Sequence, residues 1–439
     1  MRVSVIGCGY LGAVHAASMA QLGHNVVGID VDAKKIALLS AGKTPFYEPG
    51  FAELLRECLA EGRLSFSTDM AAAVGADVHF LCVGTPQSAD SLAADLRYVH
   101  AAMDSLGAAL GDSPPTVVAG KSTVPVGTAR ALAEKLKLTS PNATLVWNPE
   151  FLREGFAVKD TIQPDRIVYG LAPGGEGQWA AGVLDQVYAP ILARETPKIE
   201  TDYETAELVK VSANSFLAMK ISFINAIARV CDATGANVKD LAGAIGIDDR
   251  IGKKFLRAGI GFGGGCLPKD IRAFATRAAQ LGGEDLAELL GQIDRINLGQ
   301  RSWTVELVSR LVGPDLAGKT VGVLGAAFKP DTDDTRDSPA LAIAAALVQR
   351  GAIVRIYDPA EAALLPAAGL GVEPTGSVAA AVGGAQAVLV LTEWAEFKEL
   401  DPASLNGLVE GRTVIDGRNA LDAQRWRAAG WDYHGIGTR

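Results

Sequence analysis

A chain of 439 residues is long enough for two or three domains with large cores. Its net charge of −9 argues against nucleic acid or an anionic membrane as a partner, so an anionic ligand needs a local cluster of positive side chains. The cysteines (Cys8, Cys58, Cys82, Cys231 and Cys266) include no CxxC pair, which suits reduced thiols in a cytoplasm and not a disulfide framework or a metal site.

Strand-like residues begin at Arg2, which leaves no room for a signal peptide. No apolar run approaches the length needed to span a bilayer, so no membrane is expected. The run Val3-Ser4-Val5-Ile6 leads into Gly7-Cys8-Gly9-Tyr10-Leu11-Gly12 and then a helical stretch to Leu22. Asn25 to Asp30 reads as the next strand and ends in an acid, which completes a dinucleotide fingerprint. Gly7 makes the tight turn, Gly9 admits a pyrophosphate and Gly12 lets the helix pack on the sheet. Asp30 would bind a ribose 2′-hydroxyl and repel a 2′-phosphate, which favours NAD over NADP, while Lys34 and Lys35 temper that preference.

Further strand-like runs are Leu64–Ser67, Val78–Cys82, Thr116–Ala119, Ala143–Trp147 and Ile167–Gly170, as in a doubly wound α/β sheet. Ligands of such sheets bind beyond the carboxyl ends of the strands. That rule points to Val83-Gly84-Thr85-Pro86, to Lys121-Ser122-Thr123-Val124-Pro125 and to Asn148 through Gly155. Ala206 to Cys231 then reads as one long helix, apolar over much of its circumference, and a dimer interface is its natural use. Lys210 and Asn214 are one turn apart and share a face of it.

Three glycines precede Cys266 in Phe262-Gly263-Gly264-Gly265-Cys266-Leu267-Pro268-Lys269-Asp270, so a bulky ligand could approach the thiol closely. Pro268 is suited to open a helix, with Cys266 at its positive end and Asp270 one turn further on. Lys319 to Lys329 echoes the opening strand and turn with alanines for two glycines, and Ile353 to Asp358 echoes the second strand. The expected fold is α/β: two Rossmann-like doubly wound domains, 1–200 and 313–439, joined by a central helical region, 201–312, with a long helix.

Taken together these residues resemble the UDP-glucose 6-dehydrogenase family, among the nucleotide-sugar dehydrogenases that oxidise twice. The resemblance spans the chain: Gly7-x-Gly9-Tyr10-x-Gly12, Lys121 to Thr128, Asn148 to Gly155, Pro164-Asp165-Arg166, Lys210-x-x-x-Asn214, Arg250-Ile251-Gly252, the cysteine loop and Phe328-Lys329. One departure is Gly265, where the family often has serine; the change should loosen the loop without removing a necessary group.

The resemblance implies oxidation of UDP-glucose to UDP-glucuronate by two NAD in turn, with the aldehyde held on Cys266 as a thiohemiacetal and then a thioester. It implies Lys210 and Asn214 as oxyanion stabilisers, Asp270 with Lys210 for the alcohol proton, and Glu150 with Thr123 for the hydrolytic water. NAD would meet Gly7, Gly9, Tyr10, Leu11, Gly12, Asp30, Lys35, Thr85, Thr123, Glu154 and Arg336. The sugar nucleotide would meet Glu150, Phe151, Leu152, Lys210, Asn214, Arg250, the segment from Phe255 to Gly263, Lys329 and Arg418. Arg250 would reach the partner subunit's site in a homodimer or higher homo-oligomer. UDP-N-acetylmannosamine, UDP-N-acetylglucosamine and GDP-mannose are the alternative substrates. A two-electron β-hydroxyacid dehydrogenase would need no Cys266, and a silent nucleotide-sugar sensor would have no reason to keep Cys266, Lys210, Asn214 and Asp270 together.

Overall fold

Short apolar strands alternating with helices build one mostly parallel sheet and one parallel throughout. The computed structural model describes residues 1–438. The chain divides into one unit from Met1 to Ala213 and another from Asn214 onward.

The first unit's sheet contains β1 (Arg2–Ile6), β2 (Asn25–Ile29), β3 (Leu64–Ser67), β4 (Val78–Leu81), β5 (Thr116–Gly120), β6 (Ala143–Trp147), β7 (Ile167–Leu171) and β8 (Lys198–Asp202). Their order is β3-β2-β1-β4-β5-β6-β7-β8. The first six are parallel, in the dinucleotide-fold order: the chain crosses over from β3 to β4, so the strand order reverses between β1 and β4. Strands β4 to β7 are buried along their whole length, because helices cover both faces. Strand β7 departs from the simple doubly wound expectation. It runs antiparallel to β6, pairing Val146 with Leu171 and Trp147 with Gly170, and β8 follows it in parallel.

Two histidines are sealed in this core. Neither ring nitrogen of His15 has a hydrogen-bond partner among the described residues, and burial, helped by Lys121, holds its pKa well below the usual range. Burial pulls His79, bonded to Ser4 Oγ at 2.7 Å, down to about 4, against a smaller upward pull from Asp77. Both are neutral when folded and bind a proton when unfolded below about pH 6.5. Their contribution to stability is therefore present above that pH and lost as pH falls towards 4. Glu207, pushed up to about 7 by burial, acts in the opposite sense, because it binds its proton more readily in the folded state. Denaturant titrations from pH 7 to 4 should isolate the His79 part. In His79→Asn the acid-induced loss of stability is expected to shrink by about 3 kcal/mol, and an unchanged slope would refute the assignment.

In the second unit, helices Leu267–Gln280 and Glu284–Val312 precede a six-stranded sheet. Its strands are β9 (Thr320–Leu324), β10 (Ile353–Tyr357), β11 (Glu373–Pro374), β12 (Ala387–Val390), β13 (Thr413–Asp416) and β14 (Asp432–Gly435), in the order β11-β10-β9-β12-β13-β14. That order repeats the first six strands of the other unit, so the echo in sequence is an echo in topology. Its acid is used differently. Asp358, after β10, is fully buried and accepts from Ala326 N at 2.7 Å, Ala327 N at 3.0 Å and Trp394 Nε1 at 3.2 Å. The carboxylate closes its own turn.

The unit boundary falls inside one helix, Tyr203–Thr234, which is 32 residues long. It extends the expected helix by a turn at each end. By length and composition it is apolar enough to cross a membrane, contrary to expectation. Its N-terminal part is nevertheless a core element: Tyr203 donates to Leu145 O at 2.8 Å, and Glu207 accepts from Gly127 N and Ala129 N at 2.7 and 2.6 Å.

Candidate active site

The first unit gathers its candidate site residues at the carboxyl ends of β1, β2, β4, β5 and β6. Gly7 sits at φ +90°, where a Cβ would lie 2.9 Å from Val83. A Cβ on Gly12 would lie 1.8 Å from Gly7 O, so the helix Tyr10–Gln21 can pack only through glycine. Above Gly9, by contrast, no atom lies within 4 Å of a Cβ position. That open cradle, with tightly packed glycines on either side, fits a dinucleotide pyrophosphate. Asp30 accepts from Cys8 N and Lys35 Nζ, each at 2.8 Å, which sets its carboxylate beside the turn. Leu11, half-buried, packs against the same core.

Two hydroxyls join the next strand ends. Thr85 donates to Thr123 O at 2.7 Å, and Ser122 donates to Val83 O at 2.6 Å. Lys121 reaches Asn148 O at 3.3 Å and Asn148 Oδ1 at 3.1 Å, and burial lowers its pKa to about 8. It thereby fixes the start of the Asn148–Gly155 loop. Within that loop Glu150 pairs with Lys210 at 3.0 Å and accepts from Leu152 N at 2.6 Å. The Phe151 ring lies 5.5 Å from Lys210 Nζ and 3.8 Å from the Arg166 guanidinium carbon. Glu154 is buried.

In the second unit Cys266 is exposed and is the N-cap of the helix Leu267–Gln280, whose first turn holds Pro268. Asp270 N donates to Cys266 O at 3.0 Å, so the carboxylate follows one turn behind the thiol. Asp270 is buried, and it accepts from Asn214 Nδ2 at 2.7 Å and Lys269 Nζ at 2.5 Å. These contacts bring Asn214 and Asp270 together beneath the start of the cysteine helix.

The three glycines before Cys266 have another reason than ligand access. A Cβ on Gly263 would lie 2.4 Å from Asp337 O, one on Gly264 2.8 Å from the Phe328 ring, and one on Gly265 2.1 Å from the Arg336 guanidinium. The chain's own 328–339 segment fills the space. Gly265 is therefore a contact with Arg336 and not merely a looser hinge, and a serine there would make that guanidinium move. Arg336 is paired with Asp334 at 2.7 Å, and Gly264 N donates to Arg336 O at 2.8 Å. Asp337, at φ +49°, is clamped by Arg272 at 2.8 Å and Arg301 at 2.7 Å.

Arg418 donates to Leu391 O, Gly261 O and Phe328 O at 2.8, 2.7 and 2.9 Å. It staples the segment ending at Gly263 to the carboxyl end of the sheet. Lys329 lies 5.2 Å from the Phe328 ring. Phe255 holds φ +65°, a strained conformation for an aromatic residue. Arg250 is exposed and pairs with Asp248 at 2.6 Å.

Sequence reasoning missed Glu48 and Glu207, buried carboxylates that hold loops of the first unit, and the clamp on Asp337. The signal for Glu48 is an acid set among Phe46, Tyr47, Pro49 and Gly50. For Glu207 it is an acid one turn before Lys210 on an apolar helix.

The open glycine cradle and the acid closing the second strand define a dinucleotide-binding unit, and the second unit presents an exposed thiol at a helix start. Models of the UDP-glucose/GDP-mannose dehydrogenase family match the chain in three parts. The NAD binding domain covers residues 1–192, the central domain 204–298 and the UDP binding domain 322–423. The chain belongs to that family. UDP-glucose 6-dehydrogenases of Bacillus subtilis and Rhizobium meliloti are each 41% identical to it; the matches cover 99% and 100% of this chain, and 93% and 99% of theirs. Among solved structures, a UDP-glucose dehydrogenase from the archaeon Pyrobaculum islandicum matches with a TM-score of 0.90 at 38% identity, covering 100% of this chain and 98% of that one. A UDP-D-ManNAc dehydrogenase from Pyrococcus horikoshii matches with a TM-score of 0.85 at 27% identity, covering 100% and 99%.

Proposed function

We propose that this protein is an NAD-dependent UDP-glucose 6-dehydrogenase that carries the C6 alcohol to a carboxylate. The observation that carries the reading is Cys266, exposed at a helix start with Asp270 and Asn214 ordered behind it. A dehydrogenase that stopped at the aldehyde would need no nucleophile. The choice of UDP-glucose rests on the 41% identity to UDP-glucose 6-dehydrogenases, against 27% to the UDP-D-ManNAc enzyme. UDP-N-acetylmannosamine is the second reading, supported by that enzyme's TM-score of 0.85.

Bound NAD supplies the hydride acceptor for each of the two oxidations. Asp270 and Lys210 take the C6 hydroxyl proton as the alcohol becomes an aldehyde. The Cys266 thiolate adds to that aldehyde, forming a C–S bond and a thiohemiacetal whose oxyanion Lys210 and Asn214 stabilise. Loss of hydride from C6 gives the thioester. Water, oriented by Glu150 and Thr123, cleaves the C–S bond, so the carboxylate leaves and the thiol is restored. Gly7 to Gly12, Asp30, Lys35, Thr85, Thr123, Glu154 and Arg336 hold the cofactor in this reading. Phe151, Leu152, Arg250, the segment from Phe255 to Gly263 and Lys329 hold the sugar nucleotide, with Arg418 setting the backbone of that segment. Residues 1–200 serve NAD, 201–312 carry the cysteine loop, and 313–439 serve UDP.

The active form is a homodimer or a larger assembly of dimers. Phe216, Phe223 and Val230, seven residues apart on the long helix, are 58%, 52% and 57% exposed and form an apolar stripe that a second copy would cover. Cysteines with no disulfide among them and nucleotide ligands support a cytoplasmic location. The test is stoichiometry. Two NADH per UDP-glucose are expected, with no aldehyde captured by an added amine. One NADH per sugar, or aldehyde trapped in quantity, would overturn the four-electron reading.

A further inference from the structure

Glu48 lies just ahead of the helix Phe51–Ala60 and is only 6% exposed. A buried carboxylate is costly unless donors satisfy its lone pairs. Here three donors from two functional segments converge on it. Gly155 N–H donates to Oε2 and Ala157 N–H to Oε1, each at 2.7 Å. The Tyr10 hydroxyl also donates to Oε2, and Gly155 N is 3.0 Å from the same hydroxyl. Burial and the Glu48 charge both push the Tyr10 phenol up, so its proton stays in place to be donated.

The surroundings fix both ends of this arrangement. The Phe46 ring packs on Tyr10 at 4.7 Å between centroids and stacks on Phe51 at 5.3 Å, so the phenol has little freedom to leave. Gly155 holds φ +78°, a backbone turn that aims its N–H at the carboxylate. Tyr10 opens the helix behind the dinucleotide turn. Gly155 follows Glu154 and closes the loop that carries Glu150.

We infer that Glu48 is a positioning residue that locks Tyr10 to the Gly155–Ala157 backbone, making NAD binding and the placement of the Glu150–Glu154 loop one coupled event. The inference rests on NAD binding at the Gly7–Gly12 turn and is independent of which sugar is oxidised. A glutamine of the same size has one acceptor oxygen for three donors, so at least one backbone N–H would face an amide N–H. A purely structural acid would instead weaken both ligands together as the fold loosened.

The test is calorimetric binding of NAD and of UDP-glucose, each alone, to full-length Glu48→Gln, Tyr10→Phe and the double variant. Amide hydrogen exchange at Gly155–Ala157 is followed with and without NAD. Glu48→Gln is expected to weaken NAD about tenfold or more and UDP-glucose by several-fold less, since of the sugar-nucleotide contacts only Phe151 and Leu152 ride on that loop. NAD should slow exchange at Gly155–Ala157 in the wild type and not in Glu48→Gln. The double variant should lose no more NAD affinity than the weaker-binding single one. NAD affinity within about twofold of wild type in Glu48→Gln overturns the inference, as does equal loss for both ligands with a lowered Tm. Should Glu48→Gln fail to fold, Tyr10→Phe removes only the hydroxyl, and unchanged NAD affinity and exchange there overturn it equally. The NAD affinity and exchange readouts need neither turnover nor a sugar, so a wrong sugar assignment would leave them intact.

Discussion

Serine in place of Cys266 is expected to end steady-state NADH formation, lowering it on the order of a thousand-fold or more, while NAD and UDP-glucose still bind. The substitution changes one atom at an exposed N-cap position, and serine caps helices well, so the helix Leu267–Gln280 keeps its start. The glycines before it pack against Phe328, Arg336 and Asp337, none of which the change touches. What is lost is the nucleophile. A hydroxyl forms its oxyanion far less readily than a thiol, and the ester it gives resists water more than a thioester does. Slow residual oxidation should therefore accumulate enzyme with the sugar nucleotide attached, visible as an increase in intact mass. Turnover within about tenfold of wild type would remove Cys266 from the mechanism.

The dinucleotide turn is legible in the sequence because all its parts are local. Strand, glycines, helix and acid fall between Val3 and Asp30, and Gly12 answers to Gly7 O within that stretch, although Gly7 itself is packed by the distant Val83. The second sheet is legible for the same reason, even with alanines at 326 and 327. What cannot be read is the use of its acid, since burying Asp358 depends on Trp394, which lies far along the chain. The antiparallel direction of β7 is likewise a matter of pairing partners, and its apolar pattern is the same either way up. The glycines before Cys266 make the point most clearly. Their residue type announces close packing, but whether the visitor is a ligand or the chain itself depends on residues 328–339. Glu48 and Glu207 are hidden because each holds backbone N–H groups 78 or more residues away, as the spacings of 107 and 109 residues for Glu48 and 80 and 78 for Glu207 show. Backbone donors carry no residue type for a sequence pattern to detect.

Arg250 is expected to complete the active site of the other subunit, and two inactive variants should rescue one another. Its side chain is 89% exposed, and within its own chain it pairs with Asp248, two residues away. An exposed pair of that kind is easily exchanged for a better partner such as a phosphate or a carbonyl. The segment is moored to the long helix, because Lys220 donates to Ile251 O at 2.9 Å and Gly252 O at 3.2 Å. That helix bears the Phe216, Phe223 and Val230 stripe, and Ile247 and Ile251 are also exposed close to Arg250. An arginine tied to an uncovered apolar face is well placed to cross a two-fold interface. Alone, Arg250→Ala should lower kcat/KM by about a hundred-fold, through the loss of a charge-assisted contact. Mixed with Cys266→Ser and allowed to exchange subunits, it should form dimers in which one site has both lesions and the other has neither. Random exchange would return about a quarter of the wild-type sites, measured as NADH formation after mixing. With exchange confirmed by mass, a mixture no more active than its parents would mean that Arg250 serves its own chain.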